Sequence, residues 1–356
     1  MMPFEPACLP TGIGTLPHEN AEEACELIFE NFRGIPFWPQ LPRRAPSENM
    51  YAQFAKGLPG IREEDGRLII DTSSGFEEAM TAFYERYLAA QDVGFPLDRA
   101  RAEGFFAFVE MFRQPRPKKN GFLPTALKGH VTGPVSLGLS IQEPGGKPVL
   151  YNDLAMDAIA KNISMVARWQ EDTLGAFGLP TIMFFDEPFM ATYGSAFFNY
   201  SADLVAHYLE MATEGIKSLF GVHCCGNTDW NLILDSHASI ISFDAYGYAG
   251  RLLLYSEALG EFLQRGGVLA AGIVPALWDA AKDETVESLF ARFDGFLDSL
   301  ERRGIPRDVA AVRTLITPSC GLGSQTVPAA QAIVEMTSAL SRTCRERFGL
   351  LGKEKI

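Results

Sequence analysis

The sequence predicts an α/β chain folded as a (β/α)8 barrel, the TIM-barrel architecture, in a single domain with one long insertion. Three observations predict it. Eight apolar, β-rich runs alternate with longer amphipathic runs, which implies parallel βαβ units that close most simply as a barrel. The length, 356 residues, suits a barrel carrying insertions. No GxGxxG turn follows the first strand, which counts against a doubly wound open sheet.

The predicted strand ends, in order, are TGIGTLPH (11–18), IPFWPQLP (35–42), ALKGHVTGP (126–134) and IMFFDEP (182–188). LFGVHCCG (219–226), IISFDAY (240–246), VLAAGIVP (268–275) and TLITPSCGLG (314–323) follow. Apolar spacing of three and four predicts helices over Asn20–Phe32, Leu154–Phe177, Ala202–Gly215, Leu252–Arg265, Glu284–Arg302 and Val327–Phe348. The span 43–120, after the second strand, is too long for one connection. It holds a hairpin signal around Gly66–Ile70 and two helical stretches, and is expected to lie as an insertion over the barrel mouth.

Composition excludes several classes of function. The formal charge of −13 argues against nucleic acid or an anionic membrane as the main partner. No run reaches the roughly 18 apolar residues of a membrane span. Met1–Pro10 lacks a basic start, and Pro3, Pro6 and Pro10 break any apolar helix, so no signal peptide is read. Six cysteines are too sparse for a disulfide scaffold, which points to a cytoplasmic chain.

Each predicted strand ends in Gly, Pro or a polar group, at the barrel face where function resides. The sharpest signal is Gly221-Val-His-Cys-Cys-Gly-Asn227. Residues i and i+2 of a strand share a face, so His223 and Cys225 point one way and Cys224 the other. Cys320 ends the eighth strand, across the mouth from the fifth. A lone His or Cys is usually a core residue. Three of them at strand ends instead suggest a zinc site of His223, Cys225 and Cys320. Asp244, ending the sixth strand, is the candidate fourth ligand or the partner of His223. Gly226 and Gly321 are read as sharp turns beside the ligands. Three protein ligands leave one position for substrate, and two thiolates favour holding a substrate thiol as thiolate. The chemistry that follows is alkyl transfer to sulfur.

These residues carry a family resemblance. GIGTLPH, PFWPQLP, VTGPVSLG, FFDEP, HCCGN, ISFD and PSCGLG together resemble the superfamily of cobalamin-independent methionine synthases and uroporphyrinogen decarboxylases. Within it the chain is most similar to the short, single-barrel methionine-synthase-like proteins. The stretch HCCGN also resembles the zinc motif of methylcobamide:coenzyme M methyltransferases. The resemblance implies zinc at His223, Cys225 and Cys320, with Asp244 where methionine synthases have Glu. It implies that Asp186 holds the homocysteine ammonium, that Thr15 stands near the amino-acid carboxylate, and that Glu48 lies near a second ammonium-binding position.

Departures bear on the methyl donor. The folate enzymes carry an N-terminal barrel-like half for which 356 residues leave no room. They have a Trp after the TGPV stretch, where this chain reads Ser136-Leu137-Gly138-Leu139. They also use a His at the seventh strand end, where Gly272-Ile273-Val274-Pro275 has none. The reading is therefore a zinc-dependent methyltransferase acting on a thiol, homocysteine, with a methylcorrinoid protein rather than methyltetrahydrofolate as donor. Three rivals are a coenzyme M-type methyltransferase, a metal-free uroporphyrinogen-decarboxylase-like enzyme, and a non-catalytic zinc-holding accessory protein.

Overall fold

A computed structural model of the chain describes residues 4–114, 124–195 and 200–353. Strands β1 (Ile61–Glu64) and β2 (Arg67–Ile70) form an antiparallel hairpin. Asp65 and Gly66 take φ of 48° and 75°, the left-handed pair that a two-residue hairpin turn requires. The main sheet is parallel and follows chain order: β3 (Leu127–Thr132), β4 (Thr181–Asp186), β5 (Leu219–Cys224), β6 (Ile240–Phe243), β7 (Val268–Val274) and β8 (Thr314–Pro318). Helices lie between consecutive strands, among them Asp153–Gly175, Ala202–Thr213 and Val286–Glu301. Their starts follow from capping. Asn152 accepts from Ala155 N at 3.1 Å, Ser201 from Leu204 N at 3.2 Å, and Thr285 forms a reciprocal capping box with Ser288.

The result is an α/β fold with a curled, parallel six-stranded sheet. The expectation of eight regular strands is corrected at two places. The segments 11–18 and 35–42 are not strands; isolated parallel bridges join Pro10 to Ile316 and Phe37 to Lys128 of the sheet, and Thr15 to Gln40 between the two segments. Pro10, Pro17, Pro36, Pro39 and Pro42 have no N–H to donate, so a ladder started in these segments cannot continue. The bridges hold through Thr11 N to Ile316 O at 3.1 Å, Gln40 N to Gly14 O at 3.0 Å and Lys128 N to Pro36 O at 3.0 Å.

Side-chain alternation sorts the sheet into two faces. Ile182 and Phe184 of β4, Ile240 of β6 and Leu315 of β8 join Leu9 and Ile35 in one apolar cluster. Leu127, Val131, Phe185, Val222 and Ile241 belong to a second, larger cluster that also contains the buried residues of the helices. Lys128, His130 and Thr132 share the parity opposite to Leu127 and Val131, so a cation and an imidazole stand on the face that holds Phe184. Lys128 is fully buried. Its Nζ donates to Ile13 O at 2.6 Å and sits 4.3 Å from the Phe184 ring centroid. Burial lowers its pKa to about 8, against the opposing pull of Asp186.

The span expected to cover the mouth divides, and its last six residues, 115–120, lie outside the described residues. Its start reaches the mouth, held there by Thr132 Oγ1 donating to Met50 O and by Asn162 Nδ2 donating to Phe54 O. Its helix Glu103–Arg113 packs instead against Ala21–Asn31, with Phe108 stacked on Phe29 at 4.9 Å. No described helix is long and apolar enough to cross a membrane.

Candidate metal centre

β5 carries His223 into the mouth, and Cys225 follows it on the same side. Cys224 points away into the larger apolar cluster, where burial pushes its thiol up to about 12. Cys320 comes from the turn after β8. Ser319 fixes that turn, since its N–H donates to Val274 O at 2.8 Å and its Oγ accepts from Ala276 N at 3.0 Å. Strands β5 and β8, distant in sequence, thus place one ligand atom each of His223, Cys225 and Cys320 within 4.8 Å of one another.

His223 Nδ1 lies 2.9 Å from Ser242 Oγ, while Nε2 is buried with no partner. With Nδ1–H donating to Ser242, Nε2 turns a lone pair toward the two sulfurs. The Cys320 thiol, with His223, pulls the Cys225 thiol below its ordinary value, and the Cys320 thiol is pushed up in turn. An orphaned imidazole nitrogen and two thiols make a donor set that fits zinc. Ser242→Ala should weaken metal binding by about 10–100-fold, measured by competition with a chelating dye.

Asp244 is corrected. Its Oδ1 accepts from Gly247 N at 2.7 Å as the cap of helix Ala245–Leu252, and Ser242 takes the place expected for it beside His223. It is absent from the group of close-set ligand atoms. The chain bends at Cys225–Gly226 and at Ser319–Cys320, just before Gly321, and neither glycine has a positive φ. Their need is space: a Cβ on Gly321 would stand 3.0 Å from Thr15 Oγ1, and one on Gly226 would stand 2.4 Å from Ala191 Cβ.

A cavity of about 320 Å³ opens beside the three donors. Asp186 lines it from the end of β4, in register with His223. Its Oδ1 is buried and unpartnered, and burial raises its pKa to about 6 although His223 and Lys128 oppose the rise. Thr15 lines the cavity too, its Oγ1 donating to Gln40 Oε1 at 2.9 Å. Glu48 does not line it. It is fully buried and paired with Arg44, and its neighbours Asn49 and Met50 face the cavity instead.

Several site residues were missed in the sequence. Ser242 and Lys128 could have been found by counting back in steps of two from Asp244 and Thr132. Glu187 had no such signal. Its carboxylate accepts from Val135 N at 3.0 Å and Ser136 N at 2.7 Å, capping helix Pro134–Ser140, and burial raises its pKa to about 7. Gly133 leaves room for it, since a Cβ there would meet Glu187 Oε1 at 2.2 Å. The TGP and DEP sequences are thus two halves of one device that fixes the end of β4 beside Asp186.

Comparison with known proteins adds the class of fold. No protein-family model matches the chain, and no curated protein matches it. Among solved structures it is similar to a B12-independent methionine synthase from Shewanella sp. W3-18-1, solved in complex with selenomethionine. The two share 17% identity with a TM-score of 0.56 over 96% of this chain and 98% of that one. At this identity the likeness defines the fold and nothing finer.

Proposed function

We propose that the chain is a zinc-dependent S-methyltransferase of the methionine-synthase kind, converting homocysteine to methionine in the cytoplasm. The fold is then a single-domain (β/α)8 barrel whose first two staves are the bridged segments 11–18 and 35–42, with 43–120 as an insertion. The observation that carries this reading is the unpartnered Nε2 of His223 facing two thiols, in a cavity lined, among the described residues, by the single carboxylate of Asp186. The similar solved structure is a methionine synthase holding a methionine analogue, which supports the same reading.

Zinc held by His223, Cys225 and Cys320 would bind the substrate thiol and keep it deprotonated. The chain's own residues do the rest. Ser242 holds the His223 tautomer through Nδ1. Asp186 offers a carboxylate to the substrate ammonium, and the buried Lys128 favours its charged form. Enclosure in the mouth orients sulfur for attack on the methyl carbon, a proximity effect. For the donor we favour a methylcorrinoid protein. Among the described residues no Phe, Tyr or Trp lines the cavity, so none of those there would stack on a pterin ring. Among the described residues no Lys or Arg lines it either, which disfavours the sulfonate of coenzyme M and the many carboxylates of a porphyrinogen.

Metal analysis with zinc-edge X-ray absorption, with and without L-homocysteine, tests the proposal. About one zinc per chain, gaining a sulfur neighbour on addition of homocysteine, is the expected result. A protein that takes up no zinc would overturn it. Zinc whose surroundings ignore homocysteine would move the reading to another thiol or to a non-catalytic role.

A further inference from the structure

The side chains behind Thr15 form a hydrogen-bond chain with a fixed direction. At its far end is the carbonyl of Arg101, which can only accept. Gln53 must therefore turn its amide nitrogen to Arg101 O. That leaves Gln53 Oε1 facing Gln40, which donates to it through Nε2 at 2.6 Å. Gln40 Oε1 then faces Thr15, whose hydroxyl donates to it at 2.9 Å. Reversing any one amide would set oxygen against oxygen in a buried place, since Gln40 and Gln53 are each 3% exposed, at a cost comparable to an unmade buried hydrogen bond. The single proton of Thr15 is thus committed away from the cavity, and its Oγ1 presents only lone pairs to whatever binds there.

We infer that Thr15 acts with Asp186 as an acceptor for the ammonium end of the substrate, and that its side chain does not read the carboxylate. The inference rests on the aminothiol reading above and reverses the role that the family resemblance implies for this position. Both residues line the same cavity. Gln53, which does not line it, acts as a positioning residue by fixing the direction of the chain. The backbone at residue 15 is untouched by this assignment, so recognition of a carboxylate by main-chain N–H groups would be unaffected by a change of side chain.

The test is calorimetric binding to the zinc-loaded full chain. The probes are aminopropanethiol, which is homocysteine without its carboxylate, and sulfanylbutanoate, which is homocysteine without its ammonium. The S-methyl thioether of each serves as a probe with no free thiol. Thr15→Val should weaken both amine probes roughly tenfold and leave both carboxylate probes within about twofold. Thr15→Ser, which keeps the hydroxyl, should restore amine binding. Gln53→Met should weaken the amine probes by a smaller factor, on the order of threefold, because Thr15 is then free to rotate. The inference is overturned if Thr15→Val weakens the carboxylate probes instead, or weakens both pairs equally. If the thioethers keep the amine preference while the thiols bind no more tightly than the thioethers, the inference stands and the methyl-transfer reading fails.

Discussion

Cys320→Ser is expected to strip the protein of zinc. Serine is nearly isosteric, but its hydroxyl does not ionise near neutral pH, so only His223 Nε2 and Cys225 remain as donors. Losing a direct ligand should cost more affinity than the roughly 10–100-fold typical of an outer partner. After dialysis the variant should hold less than about a tenth of a zinc per chain, by elemental analysis, where the parent holds about one. Cys224→Ser is the control. Its sulfur lies on the other side of the strand, 3.6 Å from Gly226 O, and zinc content should not change. Loss of zinc from Cys224→Ser with retention in Cys225→Ser would show that the strand is read in the wrong register.

The second large effect is expected at Asp186. Asp186→Asn keeps the shape and removes the charge that faces the ammonium. Breaking one side of a buried charge pair costs about 2–5 kcal/mol, so homocysteine affinity should fall at least about thirtyfold while zinc content is retained. The pH dependence has a definite sign. An ordinary aspartate titrates near ~3.9, and burial raises Asp186 to about 6, so binding is complete above that value and is lost as pH falls through it. The inflection should be absent from Asp186→Asn. An equal inflection in both proteins would assign the titration to another group.

The cluster of His223, Cys225 and Cys320 was legible because strand periodicity is local. Two steps along β5 separate His223 from Cys225 and exclude Cys224, with no knowledge of any neighbour. The helices were legible through their caps, although the run 252–265 divides into a tighter turn over Leu253–Tyr255 followed by helix Ser256–Gln264. What stayed hidden depends on register between strands. Ser242 is opposite His223, and Asp186 beside it, only because β4, β5 and β6 align as they do. Asp244 was misassigned for the same reason. One residue beyond the paired part of β6, it turns to cap the next helix. The prolines of the first two segments were visible, but alternation outweighed them in the reading, and regular strands were expected where only bridges form. Glu187 could not be found at all, because its partners are 51 and 52 residues away.

The bridged segments have a mechanical consequence. Along the six paired strands, any displacement must stretch a ladder of backbone bonds. Between β8 and β3 the wall has no regular ladder; scattered backbone bonds such as Thr11 N to Ile316 O, Leu16 N to Gln40 O and Lys128 N to Pro36 O carry it, and it contains Thr15 and Gln40, two of the residues that face the cavity. His223 thus rises from a continuous strand ladder, whereas Thr15 and Gln40 stand on segments tied bond by bond, so a substitution at Thr15 leaves the pairing that positions His223 untouched.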